Sequence, residues 1–132
     1  MKSIGLVGGT FEFFHIGHQK LIETALLHCD NLEVWVISDE ISQQKDPRIS
    51  SWEERCDYIQ SNLSLDHNSR VSFHNLVDKY GVATYHDKAS MIFCTSETMH
   101  NCVSINRIRV ESNLEKLSII EVPHVYSKDG NI

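Results

Sequence analysis

Residues 3–29 read SIGLVGGTFEFFHIGHQKLIETALLHC, and this stretch decides the fold. Its first apolar run, 3–8, ends in Gly8-Gly9, which is typical of a buried strand that leads into a tight turn. From about residue 16 to residue 29 the apolar side chains recur at helical spacing opposite a polar face, which predicts an amphipathic helix. The sequence therefore begins with a strand, a glycine turn and a helix.

The same alternation continues along the chain. Residues 32–38 (LEVWVIS) are nearly continuous in hydrophobicity, as is a strand that is covered on both faces. Residues 39–50 have almost no apolar content and are predicted to form a surface loop. Ser51-x-x-Glu54 then predicts a capping box that begins a helix ending near Leu63. The remaining predicted elements are strands over 70–76, 90–94 and 117–122, and a helix after a cap at Thr95 or Ser96.

Strands that alternate with helices imply crossover connections and a parallel sheet. At 132 residues the chain has the usual size of one domain. We therefore predict a single α/β domain over residues 1–132, Rossmann-like, with a five-stranded parallel sheet flanked by helices. In such a fold a ligand binds at the carboxyl ends of the strands, where the strand order reverses.

Composition excludes several classes of function. Twelve Lys and Arg against 18 Asp and Glu give a formal net charge of −6, which argues against nucleic acid or an anionic membrane surface as the main partner. No apolar run approaches the roughly 20 residues that cross a bilayer. The four cysteines form no Cys-x-x-Cys pair, which favours a reducing compartment, and a cytoplasmic protein is expected.

The residues after the first strand are suited to binding phosphate. Gly8 and Gly9 let the backbone approach a ligand, and the free amides of the helix start favour an anion. His15 and His18 are three residues apart at that helix start, so one face presents two imidazoles, and Gly17 between them keeps the approach open. A metal pair and inert packing are the alternatives, but no third ligand is evident, and no metal site is predicted.

Several segments of the sequence resemble a known protein family. GGTFEFFHIGHQKLI (8–22) resembles the Gly-Gly-Thr-Phe-Asp-x-x-His-x-Gly-His-x-x-Leu signature of the nucleotidyltransferase superfamily. Four later segments resemble the archaeal and eukaryotic type of phosphopantetheine adenylyltransferase: Tyr80-Gly81, CTSETMHNCVSINRIR (94–109), LSIIEV (117–122) and SKDGNI (127–132).

The resemblance implies transfer of AMP from ATP to 4′-phosphopantetheine, with Mg²⁺ accompanying the triphosphate. It implies that Thr10 orients the attacking phosphate, that His15 binds the nucleotide phosphates, and that His18 stabilises the bridging and α-phosphoryl oxygens. Lys45 would close over the same phosphates from a loop that is mobile until triphosphate binds, although a solvated lysine is the plainer interpretation. The other nucleotide-binding residues that it implies are Gly8, Gly9, Phe11, Gly17 and Arg109. For Arg109 the alternative interpretation is a surface arginine on an amphipathic helix.

The sequence departs from that family in two ways. Glu12 stands where the family has Asp, and the family's Ser-Ser-Thr-x-x-Arg segment does not follow the Asp-Gly stretch, which predicts weak ATP binding. A cytidylyltransferase acting on a small alcohol phosphate such as glycerol phosphate is one alternative, although its Arg-Thr-x-Gly-x-Ser-Thr-Thr motif is absent. A nucleotide-binding paralogue without turnover is the other. The expected partners are small molecules, and a homo-oligomer is possible.

Overall fold

A computed structural model of the chain describes residues 2–12 and 16–123. It contains one five-stranded sheet in the order β3-β2-β1-β4-β5, in which every neighbouring pair is parallel. The strands are β1 (Ile4–Gly9), β2 (Asn31–Ile37), β3 (Val71–Leu76), β4 (Met91–Cys94) and β5 (Ser118–Glu121). The five-stranded parallel sheet predicted from the sequence is thus confirmed.

The connections between the strands contain helices. They are α1 (Ile16–His28), α2 (Asp39–Lys45), α3 (Trp52–Ser61), α4 (Leu65–Asn68) and α5 (Met99–Glu111), with a 3₁₀ turn at Gly81–Thr84. Within the described ranges, no helix is long and apolar enough to cross a membrane.

The hydrophobic core lies on both faces of the sheet. Successive side chains of a strand point to opposite faces, and in β1 Val7 packs into the cluster that contains α1 and α3, whereas Leu6 packs into the cluster beneath α5. Burying both faces explains why β1 and β2 are nearly continuous apolar runs rather than alternating ones.

The strand order reverses beside β1. From β1 the chain passes through α1 to β2, which pairs with one side of β1 and places Val36 opposite Gly9. Strand β4 pairs with the other side of β1 and places Met91 opposite Gly5. Because all strands are parallel, their carboxyl ends meet at one edge, and the reversal leaves a crevice there. Gly8 and Gly9 lie at that crevice.

The predicted surface loop over 39–50 is wrong in its first half, which forms helix α2. Ser38 caps this helix in extended conformation, with its Oγ accepting from the amide of Ile41 at 3.4 Å. Asp39 and Glu40 lie in the first turn, where their negative charges interact favourably with the helix dipole. Ser42 is buried and contacts a buried arginine, so polar contacts anchor the helix where the sequence has few apolar side chains.

Local signals at the other helices had mixed outcomes. The Ser51/Glu54 capping box that begins α3 is confirmed. Helix α5 begins later than predicted, with Thr98 at its cap, because the Thr98 hydroxyl accepts from the Thr95 amide at 3.2 Å and closes a turn before the helix. The 3₁₀ turn begins at Gly81, whose φ of 58° lies in the left-handed region that favours glycine.

Candidate functional site

The loop after β1 is held in an unusual conformation. Phe11 has a φ of 55° and is buried, although an aromatic side chain in the left-handed region is disfavoured by roughly 1–3 kcal/mol. Its ring lies against Gly9, where a Cβ atom would come within 3.2 Å of the ring. Glycine at position 9 therefore leaves the space that the Phe11 ring occupies.

Glu12 helps to fix the same loop from its other side. One carboxylate oxygen of Glu12 accepts from the Ser50 amide at 3.0 Å, and the other accepts from the Ser50 hydroxyl at 3.3 Å. The longer carboxylate that stands where the resembling family has Asp is thus used to bind the loop to the segment that precedes α3.

A cavity of about 430 Å³ opens where this loop meets the carboxyl ends of β1 and β4. It brings together five of the site residues predicted from the sequence, which are Gly8, Gly9, Thr10, Phe11 and His18. The opposite wall contains Cys94 at the end of β4 and Thr95, Glu97 and Thr98 from the turn before α5. The arrangement offers hydroxyl, imidazole and backbone donors in one crevice, as an anionic ligand requires.

His18 lies in the first turn of α1 and is half-buried. Its ring contacts the Phe11 ring edge-on, with the two centroids 5.4 Å apart. The ring lies at the amino-terminal end of the helix, where the helix dipole favours negative charge. Phe11, in its left-handed conformation, is therefore a direct neighbour of the His18 ring.

Three other predicted site residues, His15, Gly17 and Lys45, lie in the sequence near the start of α1 or at the end of α2. His15 lies outside the described residues. Gly17 lies in the first turn of α1, and Lys45 is the last residue of α2, but the side chain of Lys45 is likewise outside what the structure describes. The predicted loop that carries Lys45 is therefore replaced by a helix end.

Arg109 is placed away from the loop cavity. It is buried, and its guanidinium donates to the carbonyl oxygens of Glu115 at 2.7 Å and of Ala83 and His86 at 2.9 Å each. These bonds tie α5 to the 3₁₀ turn and to the segment before β5. These bonds use the Nε and Nη1 of Arg109, and nucleotide binding by this residue stays a prediction.

A second, smaller cavity of about 170 Å³ was not predicted from the sequence. It lies on the α5 face of the sheet and shares the Gly8-Gly9 wall with the first cavity. Most of its lining is apolar, and Lys79, Thr98 and Asn101 add polar side chains. The lining includes Trp35, Ile37, Leu76, Tyr80, Ile92 and Ile105, with Lys79 and Asn101.

Trp35 forms a fixed wall of this second cavity. Its ring stacks on His74 with centroids 4.7 Å apart, and its indole nitrogen donates to Glu33 at 3.1 Å. The Tyr80-Gly81 dipeptide that contributed to the family resemblance was the available sequence signal, because Tyr80 lines this cavity.

The cysteines near the site are protonated packing residues. Burial raises the pKa of the Cys94 thiol, and burial likewise raises the pKa of Cys102 to about 12. A thiol with such a pKa is a poor nucleophile at neutral pH. In the ranges that the structure covers, no three His, Cys, Asp or Glu residues cluster as ligands for a metal ion.

Comparison with known proteins agrees with this geometry. Residues 6–131 match a family described as cytidylyltransferase-like. Among characterised sequences, a phosphopantetheine adenylyltransferase of Methanopyrus kandleri is 31% identical over 127 residues, which cover 95% of this chain and 81% of that protein. The enzyme of the same name from Methanosarcina barkeri is 32% identical over 128 residues, covering 94% and 78%.

A solved structure shows the same architecture. A protein of unknown function from Archaeoglobus fulgidus superimposes with a TM-score of 0.76 at 25% identity, covering 91% of this chain and 88% of that one.

Proposed function

This chain belongs to the cytidylyltransferase-like family of nucleotidyltransferases, and we propose that it transfers the adenylyl group of ATP to 4′-phosphopantetheine. The products are dephospho-coenzyme A and pyrophosphate, which places the enzyme in coenzyme A biosynthesis. The observation that carries the assignment is the shared cavity of Thr10 and His18 at the reversal of strand order.

The reaction needs positioning rather than a protein nucleophile. A phosphate oxygen of the acceptor attacks the α-phosphorus of ATP, the bond from that phosphorus to the bridging oxygen breaks, and pyrophosphate leaves in line. Negative charge grows on the α-phosphoryl and bridging oxygens. Thr10 orients the acceptor phosphate, and His18 donates to the oxygens that gain charge.

The two cavities suit the two substrates. The loop cavity has the donors that a triphosphate requires. The second cavity is mostly apolar but also offers Lys79, Thr98 and Asn101, which suits an arm whose methylene groups are interrupted by amides and a hydroxyl, as in pantetheine. Because both cavities share Gly8 and Gly9, an acceptor arm in the second cavity brings its phosphate to the loop. This adjacency supports an acceptor with a long arm over a compact one such as glycerol phosphate.

The remaining predicted residues are assigned by their place in the chain. His15 is assigned to the nucleotide phosphates, next to the amino terminus of α1, and Lys45, the last residue of α2, is assigned to the same phosphates. Mg²⁺ enters as part of the ATP substrate, bound to its phosphates and to water.

Pyrophosphate release tests the function directly. ATP and CTP are each combined with 4′-phosphopantetheine, glycerol phosphate, phosphocholine, nicotinamide mononucleotide or flavin mononucleotide. The expected result is release with ATP and phosphopantetheine alone. Release with CTP and glycerol phosphate would show a cytidylyltransferase, and ATP binding without release from any pair would show a paralogue without turnover.

A further inference from the structure

We propose that Arg55 is a positioning residue for this reaction, and that its single guanidinium sets the Thr10 segment and helix α2 in fixed relation to each other. The inference rests on the proposed function for its kinetic consequences, and on hydrogen bonds of the described residues for its geometry. Arg55 was not identified from the sequence as a site residue.

Arg55 is buried inside the protein. Only 2% of it is exposed, and it belongs to the apolar face of α3 together with Cys56 and Ile59. An arginine there must have partners, because an unpaired buried charge is strongly destabilising. Its position four residues before Ile59 is the sequence signal that marks it as a charged side chain on a buried face.

The partners of Arg55 come from three segments. Its Nη1 donates to the carbonyl oxygen of Thr10 at 2.9 Å, and its Nε donates to the carbonyl oxygen of Ser50 at 3.0 Å. Its Nη2 donates to the Asp39 carboxylate at 3.2 Å and to the Ser42 hydroxyl at 3.3 Å. The guanidinium therefore contacts the loop after β1, the residue before the α3 cap, and α2.

On the loop side, this contact adjoins the strained residue. Thr10 directly precedes Phe11, whose left-handed conformation the surroundings must maintain. Glu12, directly after Phe11, is bound by Ser50. Phe11 is thus held on both sides by hydrogen bonds, from Arg55 to Thr10 and from Ser50 to Glu12. We call this pair of residues the Ser50–Arg55 brace.

On the α2 side, the same brace fixes the start of the helix. The Asp39 oxygen that accepts from Arg55 also accepts from the Trp52 amide at 2.8 Å. Ser42, one turn further along, contacts the same guanidinium nitrogen. Helix α2 ends at Lys45, so the orientation of its first turn determines the position of the Lys45 backbone. One side chain thereby sets Thr10 relative to Lys45.

Arginine is required because its donors lie in a rigid plane. The guanidinium presents five N–H groups in a fixed fork, whereas lysine presents one mobile ammonium. Arg55→Lys keeps the charge that balances Asp39 but cannot reach the loop and α2 together. A displacement of about 1 Å at reacting groups is sufficient to cost roughly 10²-fold in rate.

Arg70→Lys is the matched control. The Arg70 guanidinium also donates to backbone carbonyls, those of Leu26, Cys29 and Asp30, but it does so at the far end of α1. At a temperature where both variants are fully folded, Arg55→Lys is expected to lower kcat about 100-fold, and Arg70→Lys less than about threefold. Equal kcat values for the two variants would overturn the proposal.

Hydrogen exchange provides a readout that does not depend on turnover. In Arg55→Lys, the amides of residues 9–12 and of α2 are expected to exchange faster together, whereas in Arg70→Lys both segments keep the wild-type rates. Faster exchange in only one segment, or in neither, would overturn the proposal. A wild-type protein that releases no pyrophosphate would refute the proposed function and leave this test in force.

If Arg55→Lys does not fold, Ser42→Ala replaces it. This variant removes only the hydroxyl on the α2 side of the guanidinium. We expect faster exchange in α2 and a several-fold rise in KM for ATP, measured at a temperature where the variant is fully folded, because one buried hydrogen bond is lost. Wild-type exchange together with wild-type KM would overturn the proposal.

Discussion

The His18 ring, in the first turn of α1, shares the loop cavity with Thr10 and packs edge-on against the Phe11 ring. Replacing His18 with Ala is expected to lower kcat by about 10²- to 10³-fold, because it removes one preorganised donor to the developing charge. The KM for ATP should change less. Steady-state pyrophosphate release measures both constants.

His28→Ala is the control for this substitution. His28 is exposed in the last turn of the same helix, so its removal should leave kcat within about twofold of the wild type. A His18→Ala enzyme with wild-type kcat would contradict the role assigned to His18.

Buried thiols make the stability of the fold depend on alkaline pH. Burial raises the pKa of Cys56 from its ordinary 9.0 to about 11 and also raises the pKa of Cys29, Cys94 and Cys102. Above pH 9 the unfolded chain loses thiol protons that the folded chain keeps, so the unfolded state is favoured. The free energy of unfolding should therefore fall as pH rises from about 9 to about 11.

Urea unfolding at pH 7.5 and pH 10.5 measures this loss of stability. Cys56→Ala is less stable than the wild type at both values because it creates a cavity, but it should lose less stability between them. An identical loss in the variant and the wild type would contradict the contribution of Cys56.

Helix α2 ends at Lys45, the residue assigned to the triphosphate. Lys45→Ala is expected to lower kcat/KM for ATP at least tenfold through the loss of a cation near the triphosphate, with Tm unchanged within about 2 °C. Gln44→Ala, the exposed neighbour, serves as the control and should retain wild-type kinetics. Kinetics of Lys45→Ala equal to those of Gln44→Ala would exclude Lys45 from the reaction.

The same helix shows where sequence patterns reach their limit. Elements with an apolar period or a capping box, such as α1 and the Ser51 start of α3, were predictable because their signals are local. Helix α2 was not, since Ser42 is anchored by Arg55 rather than by apolar neighbours. Periodicity detects burial against a core and does not detect burial against a charge.

At the scale of the whole molecule, ligand binding should appear as thermal stabilisation. ATP at 100 times its dissociation constant stabilises the folded state by about 2.7 kcal/mol, which raises Tm by about 10 °C in a domain of this size. We expect ATP and 4′-phosphopantetheine each to raise Tm in differential scanning fluorimetry. A larger rise with CTP than with ATP would contradict the adenylyl assignment.

The candidate site was predictable where its residues are consecutive in the chain. Gly8, Gly9 and His18 belong to one strand–turn–helix segment, so the local pattern placed them together, and the family resemblance added Thr10 between them. The apolar cavity combines β1, the end of β3 and α5, and the Arg55–Thr10 bond joins distant positions. Only the folded sheet brings such residues into contact, and no local pattern encodes them.

The central place of β1 in the sheet has a consequence for synthesis on the ribosome. β1 is made before both of its partners: it can pair with β2 on one side, but its other side stays without its native partner until β4 has been made. At roughly 5–20 residues per second, β1 keeps an open edge for several seconds after its own translation. An open edge of apolar strand is a template for pairing with other chains. The nascent chain is therefore most exposed to aggregation, and most in need of chaperones, in the interval before Met91 to Cys94 closes the sheet.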